Sequence, residues 1–108
     1  MNFPIVCNLP EPEQARRKQE IATEILEGVQ ETRELPDGYA FRFPGASEWA
    51  AKITSFISVE RKCCPFLTFE LVFDPELGPI WLRLRGPEGV KVFLEQAYNT
   101  AQLRSKLV

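Results

Sequence analysis

Two stretches of this chain repeat one pattern, and that pattern limits the fold more than any other feature. Phe41-Arg42-Phe43-Pro44-Gly45 and Leu82-Arg83-Leu84-Arg85-Gly86 both alternate apolar with basic residues, then break at glycine or proline. Alternation with a period of two describes a strand with one buried face. Each run follows another short run and a turn. Gln30 to Leu35 precedes Pro36-Asp37-Gly38, and Leu67 to Phe73 precedes Asp74-Pro75-Glu76-Leu77-Gly78-Pro79. Each also leads into a segment of helical periodicity. The sequence therefore predicts a ββα unit used twice, over 29–64 and 66–105. Identity between the halves is low, so shared topology is a better reading than duplication.

The remaining segments complete a single α+β domain over 1–108. Residues 1–10 read as an extended arm bounded by Pro4 and Pro10. Pro12 suits the first turn of an N-terminal helix, where its missing N–H is unpaired anyway. Ile21, Ala22, Ile25, Leu26 and Val29 recur at helical spacing, and Gly28 offers a left-handed stop. In the turn tripeptide, Pro36 presets φ and Gly38 permits a positive one. Ser47 is placed to cap a helix carrying Trp49, Ile53, Phe56 and Ile57 inward. A last helix presents Val90, Phe93, Leu94, Ala97, Tyr98 and Ala101.

The expected assembly is a four-stranded antiparallel sheet with helices on one face. Gln30 to Leu35, polar on both faces, is an expected edge. Leu67, Phe69, Leu71 and Phe73 point to the core, as do Ile80, Leu82 and Leu84. If Phe73 lies opposite Ile80, Glu70 meets Arg83 and Val72 meets Trp81 on the outer face. Trp81 and Val72 leave two readings of that face: cover by a second subunit, or a solvated surface with one aromatic.

Composition excludes several classes of function. The 108 residues carry 13 Lys+Arg against 15 Asp+Glu, a formal net charge of −2, with no basic cluster beyond Arg16-Arg17-Lys18. Electrostatic binding of nucleic acid is not expected, and those three bases read as the solvent side of the first helix. No window approaches a membrane span, and the N-terminus lacks the pattern of a signal peptide. The three cysteines form no disulfide framework, which favours a cytoplasmic setting. The chain has no histidine, so imidazole bases, triads and histidine-containing zinc sites are out. Gly86-Pro87-Glu88-Gly89 fits no phosphate-binding fingerprint and reads as a plain helix start.

One constellation carries chemistry. At 100° per residue with Trp49 as zero, Glu60 falls at about 20°, Cys63 at about −40° and Cys64 at about 60°. All three share the apolar stripe of the second helix, while Arg61 and Lys62 point away. An inward carboxylate has to be paired, protonated or bound to something. One reading pairs Glu60 with an arginine from the sheet or a backbone N–H and treats the cysteines as small core hydrophobes. The other is a soft-ion or thiol-responsive site: Cys63 and Cys64 as sulfur ligands, Glu60 as third ligand or proton acceptor, and Zn, Cu or Hg as the ion.

The end of a helix disfavours a thiolate nucleophile, so a binding protein is expected ahead of a thiol-dependent enzyme, which stays as a minor third class. A disulfide between adjacent cysteines, whose Cα atoms lie about 3.8 Å apart, would be strained and labile. Cys7 would supply a third sulfur if the N-terminal arm folded back.

Glu60-x-x-Cys63-Cys64-Pro65-Phe66-Leu67-x-Phe69, followed by Gly78-Pro79 and Leu84-x-Gly86-Pro87, resembles a group of small uncharacterised bacterial proteins carrying E-x-x-C-C-P-F. Those are similar to C-terminal extensions of some MerR-like regulators of heavy-metal response. The resemblance covers Trp49 to Leu94, and Cys-Cys-Pro-Phe is its specific part. It implies a thiol module associated with soft metals. The chain lacks the winged helix-turn-helix of those regulators, so DNA binding is not implied. The competing expectation is a structural or interaction protein, a homodimer through the sheet, with Glu60 and the cysteines completing the core.

Overall fold

The computed structural model describes residues 11–97. The expected arm with Cys7, and the final helix beyond 97, lie outside the described residues. The elements run α1 (Glu11–Glu24), a 3-10 turn (Leu26–Gly28), β1 (Glu31–Leu35), β2 (Gly38–Phe43), α2 (Ser47–Cys63), β3 (Thr68–Phe73), β4 (Ile80–Arg85) and α3 (Val90–Ala97). The strands form one antiparallel sheet in the order β1-β2-β4-β3. The fold is thus α+β, with the second hairpin laid beside the first through its own second strand.

Register follows the hydrophobic alternation. Phe41 lies opposite both Thr32 and Leu82, and Phe43 opposite Ile80. Phe41, Phe43, Ile80, Leu82 and Leu84 are all buried, together with Ile53 and Phe56 of α2 and Val90 and Leu94 of α3. In the β3–β4 hairpin Phe73 opposes Ile80, Glu70 opposes Arg83 and Val72 opposes Trp81, as the alternation requires. The ion pair runs diagonally, however: the Arg85 Nε–H donates to Glu70 Oε1, and the other arm of Arg85 reaches Asp37.

Several local expectations are corrected. The α-helix stops at Glu24, and the 3-10 turn then keeps Ile25, Leu26 and Val29 buried. Gly28 is not left-handed; it is needed because a Cβ there would lie 2.1 Å from Cη2 of Trp49. Gly38 likewise has no positive φ. It is the first residue of β2, where a Cβ would lie 1.8 Å from the Leu84 carbonyl oxygen. Close approach, and not backbone freedom, selects both glycines.

Ser47 is the first residue of α2, and the cap position is Ala46, with no side-chain hydrogen bond. The left-handed residues of the β3–β4 turn are Glu76 (φ 60°) and Leu77 (φ 57°), inside a turn closed by the Gly78 N–H donating to the Pro75 carbonyl. Phe73 is 57 % exposed, while Phe69 and Leu71 are half-buried. As an edge strand, β3 is only partly covered by the helices, so its apolar face is not fully buried.

The outer face is closed over its centre. Ala40, in the middle of β2, is buried. From β1 the Arg33 guanidinium reaches across it to lie 4.7 Å from the centre of the Trp81 ring on β4. That cation–π contact gives Trp81 cover from within the chain.

Candidate functional site

α2 delivers its inward stripe as the helical phase requires. Ile53, Phe56, Glu60 and Cys63 are its buried residues, and Cys64 follows as the C-terminal cap. The helix ends there because Pro65 disfavours the α conformation in the residue before it; Cys64 sits at φ −127°, ψ 73°. Its N–H still donates to the Glu60 carbonyl (2.7 Å). Its own carbonyl accepts from the Leu67 N–H (3.1 Å), closing a turn with Pro65 at the position whose φ proline presets. The two cysteines therefore straddle the exit from a helix, under a tight turn.

Glu60 is 2 % exposed, Cys63 6 % and Cys64 3 %. The Glu60 carboxylate is met on both oxygens. The Arg17 Nε–H of α1 donates to Oε1 at 2.8 Å, and the Cys64 thiol donates to Oε2 with Sγ at 3.8 Å. Arg17 also donates through Nη1 to Glu20 Oε2 at 3.2 Å, and its guanidinium lies 5.8 Å from the centre of the Phe56 ring. Burial works against the Arg17 charge. The hydrogen bond and attraction of Glu60, then those of Glu20, outweigh it and raise its pKa above the usual arginine value. Arg17 is thus a permanent cation that keeps an otherwise prohibitive buried carboxylate in place.

Arg17 is the residue that sequence reasoning missed: the arginine that meets Glu60 comes from α1 and not from the sheet. It was expected on the solvent side of α1, yet its side chain is only 15 % exposed. The signal was available: Arg17, Ile21 and Ile25 are spaced by four, which puts the arginine on the buried stripe of its own helix. Arg61 and Lys62 are exposed, as expected.

Chemically, the site is a row of three groups, guanidinium, carboxylate and thiol, with a second thiol on the preceding residue. Both sulfurs are thiols. Among the described residues no group of three or more His, Cys, Asp or Glu side chains is arranged to hold a metal ion. The described contact in the site is between one thiol, that of Cys64, and the Glu60 carboxyl group. Among the described residues no helix is long and apolar enough to cross a membrane. No family model matches the chain, and no curated protein or solved structure is found similar to it.

Proposed function

We propose that this chain is a small, cytoplasmic soft-metal-binding or thiol-responsive protein, with Cys63 and Cys64 as its sulfur ligands. The supporting observation is the buried contact between the Cys64 thiol and Glu60 Oε2, with Arg17 fixing the opposite carboxylate oxygen. Soft ions bind thiolate, so each thiol must release a proton on binding. Glu60 is the acceptor within reach of Cys64, its other oxygen being held by Arg17. Thiolate pairs suit Cu(I) and Hg(II). Zn(II) wants four ligands, more than these three residues supply. The chain binds without turning over a substrate, and neither nucleic acid nor membrane is a partner in this reading.

The test is thiol titration of the native protein with and without Hg(II), Cu(I), Zn(II) or arsenite, followed by mass measurement. A Cys63→Ser, Cys64→Ser variant should lose the bound ion; if it binds every ion as the parent does, the reading is wrong.

The Arg17–Glu60 pair favours a second reading, in which the same groups merely tie α1 to α2 and the cysteines fill space. There, Glu60→Gln should leave the reaction of the thiols with Hg(II) unchanged. In the binding reading it should slow that reaction by removing the proton acceptor.

A further inference from the structure

The two edges of the sheet are built differently. β1 carries Glu31, Arg33 and Glu34 among its five residues and is followed by Pro36. Charges and proline of this kind guard an exposed edge against pairing. β3 carries a single charge, Glu70, which Arg85 holds from the neighbouring strand, and its proline, Pro75, lies two residues beyond its end. Among the described residues β4 is its only strand neighbour. Phe73 stands 57 % exposed at one end of this edge. At the other end opens a groove of about 380 Å³ lined by Ile57, Arg61, Pro65, Leu67 and Phe69. A protruding aromatic and an open recess, lined by Arg61 as well as by Leu67 and Phe69, thus occupy opposite ends of one strand.

We propose that β3 pairs antiparallel with β3 of a second copy of this chain, joining two four-stranded sheets into one. The backbone limits the register. The Asp74 N–H donates to the Pro79 carbonyl, continuing the ladder that sets Phe73 opposite Ile80. N–H groups alternate sides along a strand, so those of Thr68, Glu70 and Val72 also face β4. Those of Phe69, Leu71 and Phe73 face the open edge.

A two-fold axis at Leu71 sets Leu71 opposite the partner's Leu71 and Phe69 opposite the partner's Phe73. All of these pairs have outward N–H and C=O groups and can exchange both hydrogen bonds. An axis at Glu70 would set two carboxylates face to face, which is destabilising. An axis at Val72 would bring the partner's Pro75, which has no N–H, opposite Phe69. The axis at Leu71 places Glu70 opposite the partner's Val72 and seats the partner's Phe73 at the mouth of the groove beside Phe69. Symmetry fills both grooves at once, as a self-complementary interface requires.

Light scattering on the chromatographed full chain in reducing buffer should give twice the chain mass. Phe73→Glu, which alters a residue more than half exposed in the single chain, should give the chain mass with unchanged far-UV circular dichroism. A second measurement needs no folded variant: residue-resolved amide exchange of the unmodified protein. The Phe69, Leu71 and Phe73 amides should be protected alongside those of Glu70 and Val72, about tenfold or more above an exposed turn amide such as that of Leu77. The unmodified chain running at its single mass overturns the proposal. So does a doubled mass that survives Phe73→Glu in a folded protein, or a set of outward amides exchanging as fast as Leu77.

Discussion

Replacing Arg17 by methionine keeps most of the aliphatic stem and removes only the charged head. Glu60 then stays 2 % exposed, with the Cys64 thiol as its remaining side-chain donor described above. Breaking a buried ion pair from one side costs about 3–5 kcal/mol. Because the thiol donates weakly and the carboxylate can take up a proton, the lower end, about 3 kcal/mol, is expected for Arg17→Met at neutral pH. With a urea slope of roughly 1–3 kcal/mol/M, the unfolding midpoint should fall by about 1–3 M.

The sign of the pH dependence follows from linkage. In the variant, a buried carboxylate that has lost its guanidinium is penalised for its charge, so proton uptake by the folded state relieves the cost. The folded state then binds more protons, and stability recovers as pH falls. In the parent, the raised Arg17 pKa means its contribution is complete below the unfolded arginine value. It is lost only at higher, strongly alkaline pH, so it adds no slope near neutrality. Urea unfolding followed by far-UV circular dichroism at pH 7 and pH 5 measures both effects. Adding Glu60→Gln to Arg17→Met should restore most of the loss, since a neutral amide costs less to bury than a charge. A midpoint unchanged in Arg17→Met, or a deficit indifferent to both pH and the second substitution, would refute the claim that Arg17 holds Glu60 in place.

Two further expectations concern single sites away from the thiols. Thr32 is fully buried, and its Oγ1 has no hydrogen-bond partner among the described residues, so Thr32→Val should stabilise the fold by about 1 kcal/mol in the same urea assay. Leu77 is 91 % exposed and left-handed, so Leu77→Gly should gain about 1 kcal/mol by relieving backbone strain, read as a higher thermal midpoint.

Much of the architecture was legible because it rests on periodicity. The alternation of Tyr39, Phe41 and Phe43, and of Ile80, Leu82 and Leu84, specifies which face is buried whatever the strand order. The pairing of Phe73 with Ile80 then follows from the hairpin itself. Strand order was not legible, because nothing local in β3 or β4 says which of them lies beside β2. The same gap explains Phe73: its position in the alternation is right, but whether a helix covers it depends on where its strand falls in the sheet.

The site divides in the same way. The inward phase of Glu60, Cys63 and Cys64 is a property of one helix and could be read from spacing. The partner of Glu60 comes from 43 residues away, across a contact between helices that no spacing rule within α2 can reach. Gly28 and Gly38 show a related limit. Composition marks both as turn residues, whereas the neighbours that demand them, Trp49 and the Leu84 carbonyl, appear only after folding.

The Arg33–Trp81 clasp over Ala40 turns a packing detail into an optical one. The protein has two tryptophans, and they watch different seams. Trp81 feels a guanidinium that stays in place only while the β1 edge is docked. Trp49 lies against Gly28 and Phe43, where the first helical segment meets the sheet. Fraying of the outermost strand and detachment of the amino-terminal helix should therefore colour the emission spectrum separately, letting the order of their loss be followed by fluorescence in single-tryptophan versions of the chain.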